Sequence, residues 1–310
     1  MKFPLNLGVL TRPPAAGAAA GRCTRIIGVL GVLALAVALQ GCSVMKIAYN
    51  QAPELAYWHL DGHFDFTDAQ TLQVKADLAK LQAWHRQTQL PAYIETLQKL
   101  RQQIPADMDA ASACAMYADV RSKLVAVTNR AEPAVVALVG ILNADQLVKL
   151  ETRFAKGNAE YREDFLDASP KARRDKRYKE AVKRAEMLYG NLDDKQLAVI
   201  GHRIDNSHFS APVSYGEKVR RQQDALQTLR PLVAGQAAPE KTQAAMKGLF
   251  ERTLNSPDAA YRVYMDKLTQ DACSSFAELH NSTTPAQRSK AVETLLRYEQ
   301  DFKTLHLQKS

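Results

Sequence analysis

The sequence predicts an all-α protein: a single multi-helix domain of about eleven or twelve helices behind a signal peptide. Three observations predict it. Apolar residues recur with the 3.6-residue period over most of the chain, and no period-2 run bounded by turn residues occurs. Pro, Gly and Asn interrupt the periodic stretches at helix-length intervals. The 310 residues are 46% apolar and 24% charged, which excludes a wholly disordered chain, a collagen and a disulfide-packed mini-protein.

In chain order, a basic, acid-free lead is followed by an unbroken apolar run at 26–39. At 1.5 Å per residue this run is too short to cross roughly 30 Å of hydrocarbon as a helix, and a basic lead with a run of this length reads as a signal peptide. The 25-residue lead is long for such a region, so the true start is left open. Leu39-Gln40-Gly41-Cys42 then resembles the lipobox read by lipoprotein signal peptidase, although Gln40 stands where a small residue is common. The resemblance implies a signal peptide over 1–41, cleavage before Cys42, a diacylglyceryl thioether on its sulfur and a palmitate-type acyl group on its amine. A general secretory signal with a chance cysteine and a retained anchor are the alternatives. Ser43 is not the aspartate associated with inner-membrane retention, which points to the outer membrane, facing the periplasm. Residues 42–52 form a lipidated tether, at most ~35 Å long if extended, before a helix candidate at Pro53. Formal charge is +8, but Lys2, Arg12, Arg22 and Arg25 leave with the leader, and from Cys42 on there are 37 basic against 33 acidic residues. Nucleic acid is therefore not an expected partner.

Helices are expected at 71–90, with Leu72, Ala76, Ala79 and Ala83 around a core stripe, and from Pro91 through Tyr93, Ile94, Leu97, Leu100 and Ile104. Others are expected at 109–131, 133–142, 144–166, 170–189, 194–206, 215–229, 239–254, 258–281 and 285–307. No Gly/Ser linker divides them, so 53–310 reads as one domain, weakest at 235–239.

One local signature repeats. Thr67 with Gln70, Asn143 with Gln146, Asp193 with Gln196 and Thr284 with Gln287 each place Gln three positions after a capping residue, the spacing of a capping box. Four well-started helices explain it. The signature is also locally similar to the Leu-Thr-x-x-Gln motifs of Spy/CpxP-type periplasmic chaperones, though its spacings are irregular. A denser resemblance lies in Tyr49-Asn50, Tyr57-Trp58, Leu60-Asp61, Phe64-Asp65-Phe66-Thr67, and Trp84-His85-Arg86 with Leu90-Pro91 and Tyr93. These blocks look like an uncharacterised family of proteobacterial helical lipoproteins, with Phe66 where that family usually has Leu. The resemblance implies fold and location and carries no activity.

Constellations that could carry chemistry are few. His59 and His63 share a helix face, but Leu60-Asp61-Gly62 separates them and no Glu follows the first His, so the metalloprotease pattern is absent. With Asp61 and Asp65 they form the one place where a hydrolase could sit. The alternative is an interaction seam of Trp58, Asp61, His63, Asp65, Trp84, His85 and Arg86 that packs the first helix. Serine-nucleophile, phosphate-loop and dinucleotide motifs are lacking, and neither a metal nor a cofactor is expected. Between 171 and 184 lie eight basic residues, among them Arg173, Arg174, Lys176 and Arg177, beside an apolar stripe of Tyr178, Val182 and Ala185. This is either a solvated face or a contact for anionic lipid or lipopolysaccharide. Cys114 and Cys273 remain once Cys23 leaves and Cys42 is acylated; they pair if the fold brings them together, and otherwise are two buried thiols.

The sequence thus leads to an outer-membrane-anchored periplasmic lipoprotein that acts by binding, as an envelope interaction or chaperone-like protein with a protein partner or clients. The alternatives are a pilot or structural lipoprotein of one envelope machine, and a hydrolase near His59, Asp61, His63 and Asp65.

Overall fold

A computed structural model describes residues 44–235 and 237–308. The expected signal peptide over 1–41 and the expected lipidation site Cys42 lie outside the described residues. Within the described residues, those from Ala48 on form one compact unit. Helices run α1 (Val44–Asn50), α2 (Ala52–Phe64), α3 (Asp68–Trp84), α4 (Leu90–Gln103), α5 (Ala110–Val139) and α6 (Ala144–Tyr161). They continue as α7 (Pro170–Tyr189), α8 (Asp194–Asp205), α9 (Ala211–Ala234), α10 (Pro239–Leu254), α11 (Ala259–Asn281) and α12 (Pro285–Leu307). Two π-turns, His85–Gln89 and Arg162–Leu166, follow α3 and α6. The described residues are therefore all-α, with twelve helices and no strand, as the periodicity predicts.

The four capping signatures are all real capping boxes, and they start α3, α6, α8 and α12. The structure adds what the sequence does not show: they dock in two reciprocal pairs. Gln70 and Gln146 exchange amide hydrogen bonds of 3.1 and 2.7 Å. Each also donates to a carbonyl two residues before the other's N-cap, Gln70 to Ile141 O and Gln146 to Asp65 O. Gln196 and Gln287 repeat the arrangement at 2.7 and 2.8 Å, donating to Ser282 O and Asn191 O. Two positive helix ends meet in each pair, and the acids Asp68 and Asp145, or Asp193 and Asp194, offset that repulsion.

The helices before each box interlock correspondingly. In the first set α2 packs on α6 and α5 packs on α3; in the second, α11 packs on α8 and α7 packs on α12. The chain thus builds one motif twice, α2–α3 with α5–α6 and α7–α8 with α11–α12. The largest core cluster unites Val139, Leu147, Leu150, Leu229, Leu232 and Leu249 from α5, α6, α9 and α10. A second gathers Ile104, the C-cap of α4, with Tyr189 of α7 and Ala291 and Leu295 of α12.

Three expectations are corrected. Helices at 109–131 and 133–142 are one 30-residue helix that runs through Pro133. A proline inside a helix removes a backbone hydrogen bond and clashes with the preceding turn, together costing about 3 kcal/mol, but α5 is held on both sides of it: Val135, Val136 and Leu138 join the main core, and its first turns pack on α11. A helix precedes the one expected from Pro53: Val44–Asn50 is helical, and Tyr49 and Asn50 are docked on His85 and Arg86. Expected helices at 71–90 and 144–166 end in π-turns, in which one extra residue rotates the helix face.

Cys114 on α5 and Cys273 on α11 form a disulfide with Cα atoms 5.2 Å apart, across 159 residues of sequence. It joins equivalent helices of the two interlocked sets.

Candidate functional site: an apolar groove with a basic rim

Within the second set, α7, α8 and α11 leave a groove of about 700 Å³ between them. Its floor is apolar: Ala181, Ala185 and Leu188 from α7, Ile200 and Ile204 from α8, and Leu268, Phe276 and Leu279 from α11. Phe165, from the π-turn, and Phe209, from the loop before α9, also line it and meet edge-on with ring centroids 6.3 Å apart. Tyr178, Val182 and Ala185, the expected apolar stripe of α7, pack with Ile200 and Leu279 beneath it. Such a volume falls within the ~300–1,000 Å³ of small-molecule sites.

A buried polar hub reaches the groove through Tyr189, which lines it. The Tyr189 hydroxyl meets His280 Nδ1 at 2.8 Å, and His280 Nε2 meets Ala106 O at 2.8 Å. A carbonyl only accepts, so Nε2 carries the proton and Nδ1 accepts from Tyr189. Burial pushes the Tyr189 hydroxyl up and the His280 imidazole down, which keeps both neutral.

The basic rim is more engaged than a solvated face. Arg173 donates to Phe165 O and Leu166 O, closing the π-turn. Arg174 makes a two-pronged pair with Asp205, at 2.6 and 2.9 Å. Lys176 pairs with Asp164 at 2.5 Å. Arg177 donates to Ser207 Oγ at 2.6 Å and lies over the Phe209 ring at 4.4 Å. Burial lowers its pKa, against the pull of the more distant Asp205 and Asp271. All four residues singled out by charge therefore tie α7 to its neighbours, while among the described residues Lys183 and Arg184 make no ion pair.

The equivalent position in the first set holds a smaller groove of about 400 Å³ between α2, α3 and α5, lined by Leu60, Val74, Leu78, Leu81, Val135 and Leu138. Arg130 and Lys80 also line it, but Arg130 lies over Trp84 and Lys80 pairs with Asp77.

The expected interaction seam splits in two. His85 and Arg86 form a cluster at the first π-turn: His85 Nδ1 lies 3.0 Å from the Tyr49 hydroxyl, and Nε2 lies 3.3 Å from that of Tyr93. Arg86, which is buried, donates to Asn50 Oδ1, and Arg86 O accepts from His306 Nδ1 at 3.0 Å. Arg86 Nε has no hydrogen-bond partner among the described residues. Burial lowers the His85 pKa and raises those of Tyr49 and Tyr93. Trp84 meets His85 edge-on.

The other half of the seam is elsewhere. Trp58 is 62% exposed. His63 Nδ1 donates to His59 O, Asp61 accepts from Phe66 N–H, and Asp65 takes the left-handed conformation (φ 56°) that ends α2 and pairs with Lys149. These residues build the turn into the first capping box. Among the described residues no group of three or more His, Cys, Asp or Glu is arranged to hold a metal ion.

The sequence misses Phe165, Phe209, Ile200, Ile204 and Phe276 as groove residues. Apart from Phe209, which lies in a loop, each reads as ordinary core by period, and only the π-turn and the packing of α7 and α11 on either side of α8 turn them towards a common space. The fold and groove together define an all-α protein of two interlocked helix sets with an open apolar cleft. Residues 62–262 match the model of a family of unknown function, DUF6279, and the chain belongs to that family. No curated protein and no solved structure matches it.

Proposed function

We propose that the protein is a lipid-anchored periplasmic protein of the outer membrane that works by binding an apolar chain in the groove between α7, α8 and α11. The observation that carries the reading is the groove itself: an apolar floor open to solvent, with Phe165, Phe209 and Phe276 in its lining, which on a globular protein marks a binding surface. The lipobox at Leu39-Gln40-Gly41-Cys42 supports the anchor, since acyl chains at about 0.8 kcal/mol per buried CH₂ give lasting attachment when two or more are present. The Cys114–Cys273 disulfide supports an oxidising compartment.

A neutral, environment-sensitive dye such as Nile red tests the binding step on the unacylated Cys42→Ala protein. Saturable fluorescence enhancement is expected. Adding Ala272→Trp, which puts an indole into the groove from the exposed side of α11, should remove most of it without changing the far-UV circular dichroism. Enhancement that Ala272→Trp leaves untouched would move the site away from this groove.

A further inference from the structure

We infer that the groove's occupant is a long-chain fatty acid, its chain along the apolar floor and its carboxylate on Arg177. This deepens the binding reading above and rests on it.

Arg177 is the reason. Its guanidinium is half-buried at the groove wall, and its direct partners are a hydroxyl (Ser207), a carbonyl (Ile204 O, 3.5 Å) and the Phe209 ring, with no carboxylate among them. A half-buried cation without a direct counter-ion is unfavourable, and a planar guanidinium is matched by a carboxylate accepting two parallel N–H bonds. The other charges of the lining do not supply that ion. Lys176 and Arg203 are already paired with Asp164 and Glu278, and Asp271 accepts hydrogen bonds from the backbone and ring of His208 and makes no direct contact with Arg177. Glu180 also lines the groove but is exposed to solvent. Arg184 stands seven residues after Arg177 on the same face of α7, exposed, and makes no ion pair among the described residues. It extends the positive rim towards incoming anions. The smaller groove has no such half-buried cation, because Lys80 and Arg130 are both exposed and Lys80 pairs with Asp77.

The test uses full-length protein in neutral phosphatidylcholine nanodiscs and two photoreactive probes of equal chain length, a diazirine palmitate and the corresponding alcohol. Saturable labelling of peptides from α7, α8 and α11 is expected, with palmitate at least tenfold tighter than the alcohol. Arg177→Gln should abolish that preference, bringing palmitate labelling down to the level of the alcohol, and Arg184→Gln should reduce it about threefold. Affinity should rise about fourfold per methylene added, the ratio that ~0.8 kcal/mol per buried CH₂ gives. Equal labelling by acid and alcohol in the wild type would overturn the carboxylate assignment and leave the binding reading standing. So would tighter labelling by a photoreactive lysophosphatidate than by palmitate. Labelling of these peptides by neither probe would overturn both. A palmitate preference that survives Arg177→Gln would overturn the role of Arg177, and if that variant does not fold, an Arg184→Gln protein with undiminished preference would overturn the basic rim.

Discussion

At the scale of single residues, the glutamines of the capping boxes do two things with one amide. Gln196 is fully buried; its Oε1 accepts from Asp193 N–H, and its Nε2 donates to Gln287 and to Ser282 O. A capping glutamine on an isolated helix would perform only the first task. Replacing Gln196 with Ala removes a cap and leaves buried polar groups without partners, for an expected loss of about 2 kcal/mol. A double-mutant cycle with Gln287→Ala, read by urea denaturation, should give a coupling of about 1 kcal/mol. Additive losses would mean that the two boxes cap their own helices and nothing more. The same logic recasts the basic residues of α7. Charge reversal of Arg173, Arg174, Lys176 and Arg177 would break the contacts to Asp164 and Asp205 as well as any external one, so Lys183 and Arg184 are the cleaner probes of anionic surfaces.

At the scale of elements, α12 and α4 are joined through one buried carboxylate. Glu299, with 3% of its side chain exposed, accepts from Gln98 at 2.9 Å and pairs with Lys303 at 2.7 Å and with Arg101. The hydrogen bonds from Lys303 and Gln98 lead in holding its pKa down, from the ordinary 4.5 to about 2. A carboxylate depressed in the fold contributes stability that is present above its unfolded pKa and lost as pH falls through the folded value. The protein is therefore expected to lose part of its stability between about pH 4.5 and 2 at this junction. Glu299→Gln should cost about 2 kcal/mol at pH 7 and flatten the acid limb of the stability curve. An unchanged acid limb in that variant would assign the sensitivity to other carboxylates. Pro133 shows the same dominance of packing over local preference, since both ends of α5 are fixed by neighbours and the helix passes through a residue that stops it locally.

At the scale of the molecule, the doubled motif sets where ligands can act. Equivalent grooves arise in both sets because each leaves its two leading helices apart beside one capped helix, and the two differ in volume and in the state of their cations. The disulfide joins α5 to α11, the helices that wall the two grooves. On the proposed anchoring, Cys42→Ala should lack the mass of the acyl chains and leave the outer-membrane fraction. Co-sedimentation of that variant with membranes, with no acyl mass on the wild type, would sink the lipoprotein reading.

The sequence by itself determined the all-α class and the starts of α3, α6, α7, α8, α10 and α12, because periodicity and capping are local chemistry written within a few consecutive residues. It also held the blocks around Tyr49, His85 and Tyr93, but not that they form one cluster. The tertiary structure alone decided that four capping boxes are two docked pairs, that α5 continues through Pro133, and that His63 and Asp65 build a turn while His85 and Arg86 sit apart from them. It alone opened the groove. Amide pairs separated by 76 and 91 residues, and a space bounded by three helices, depend on how faces cross, and a one-residue π-turn is enough to turn such a face.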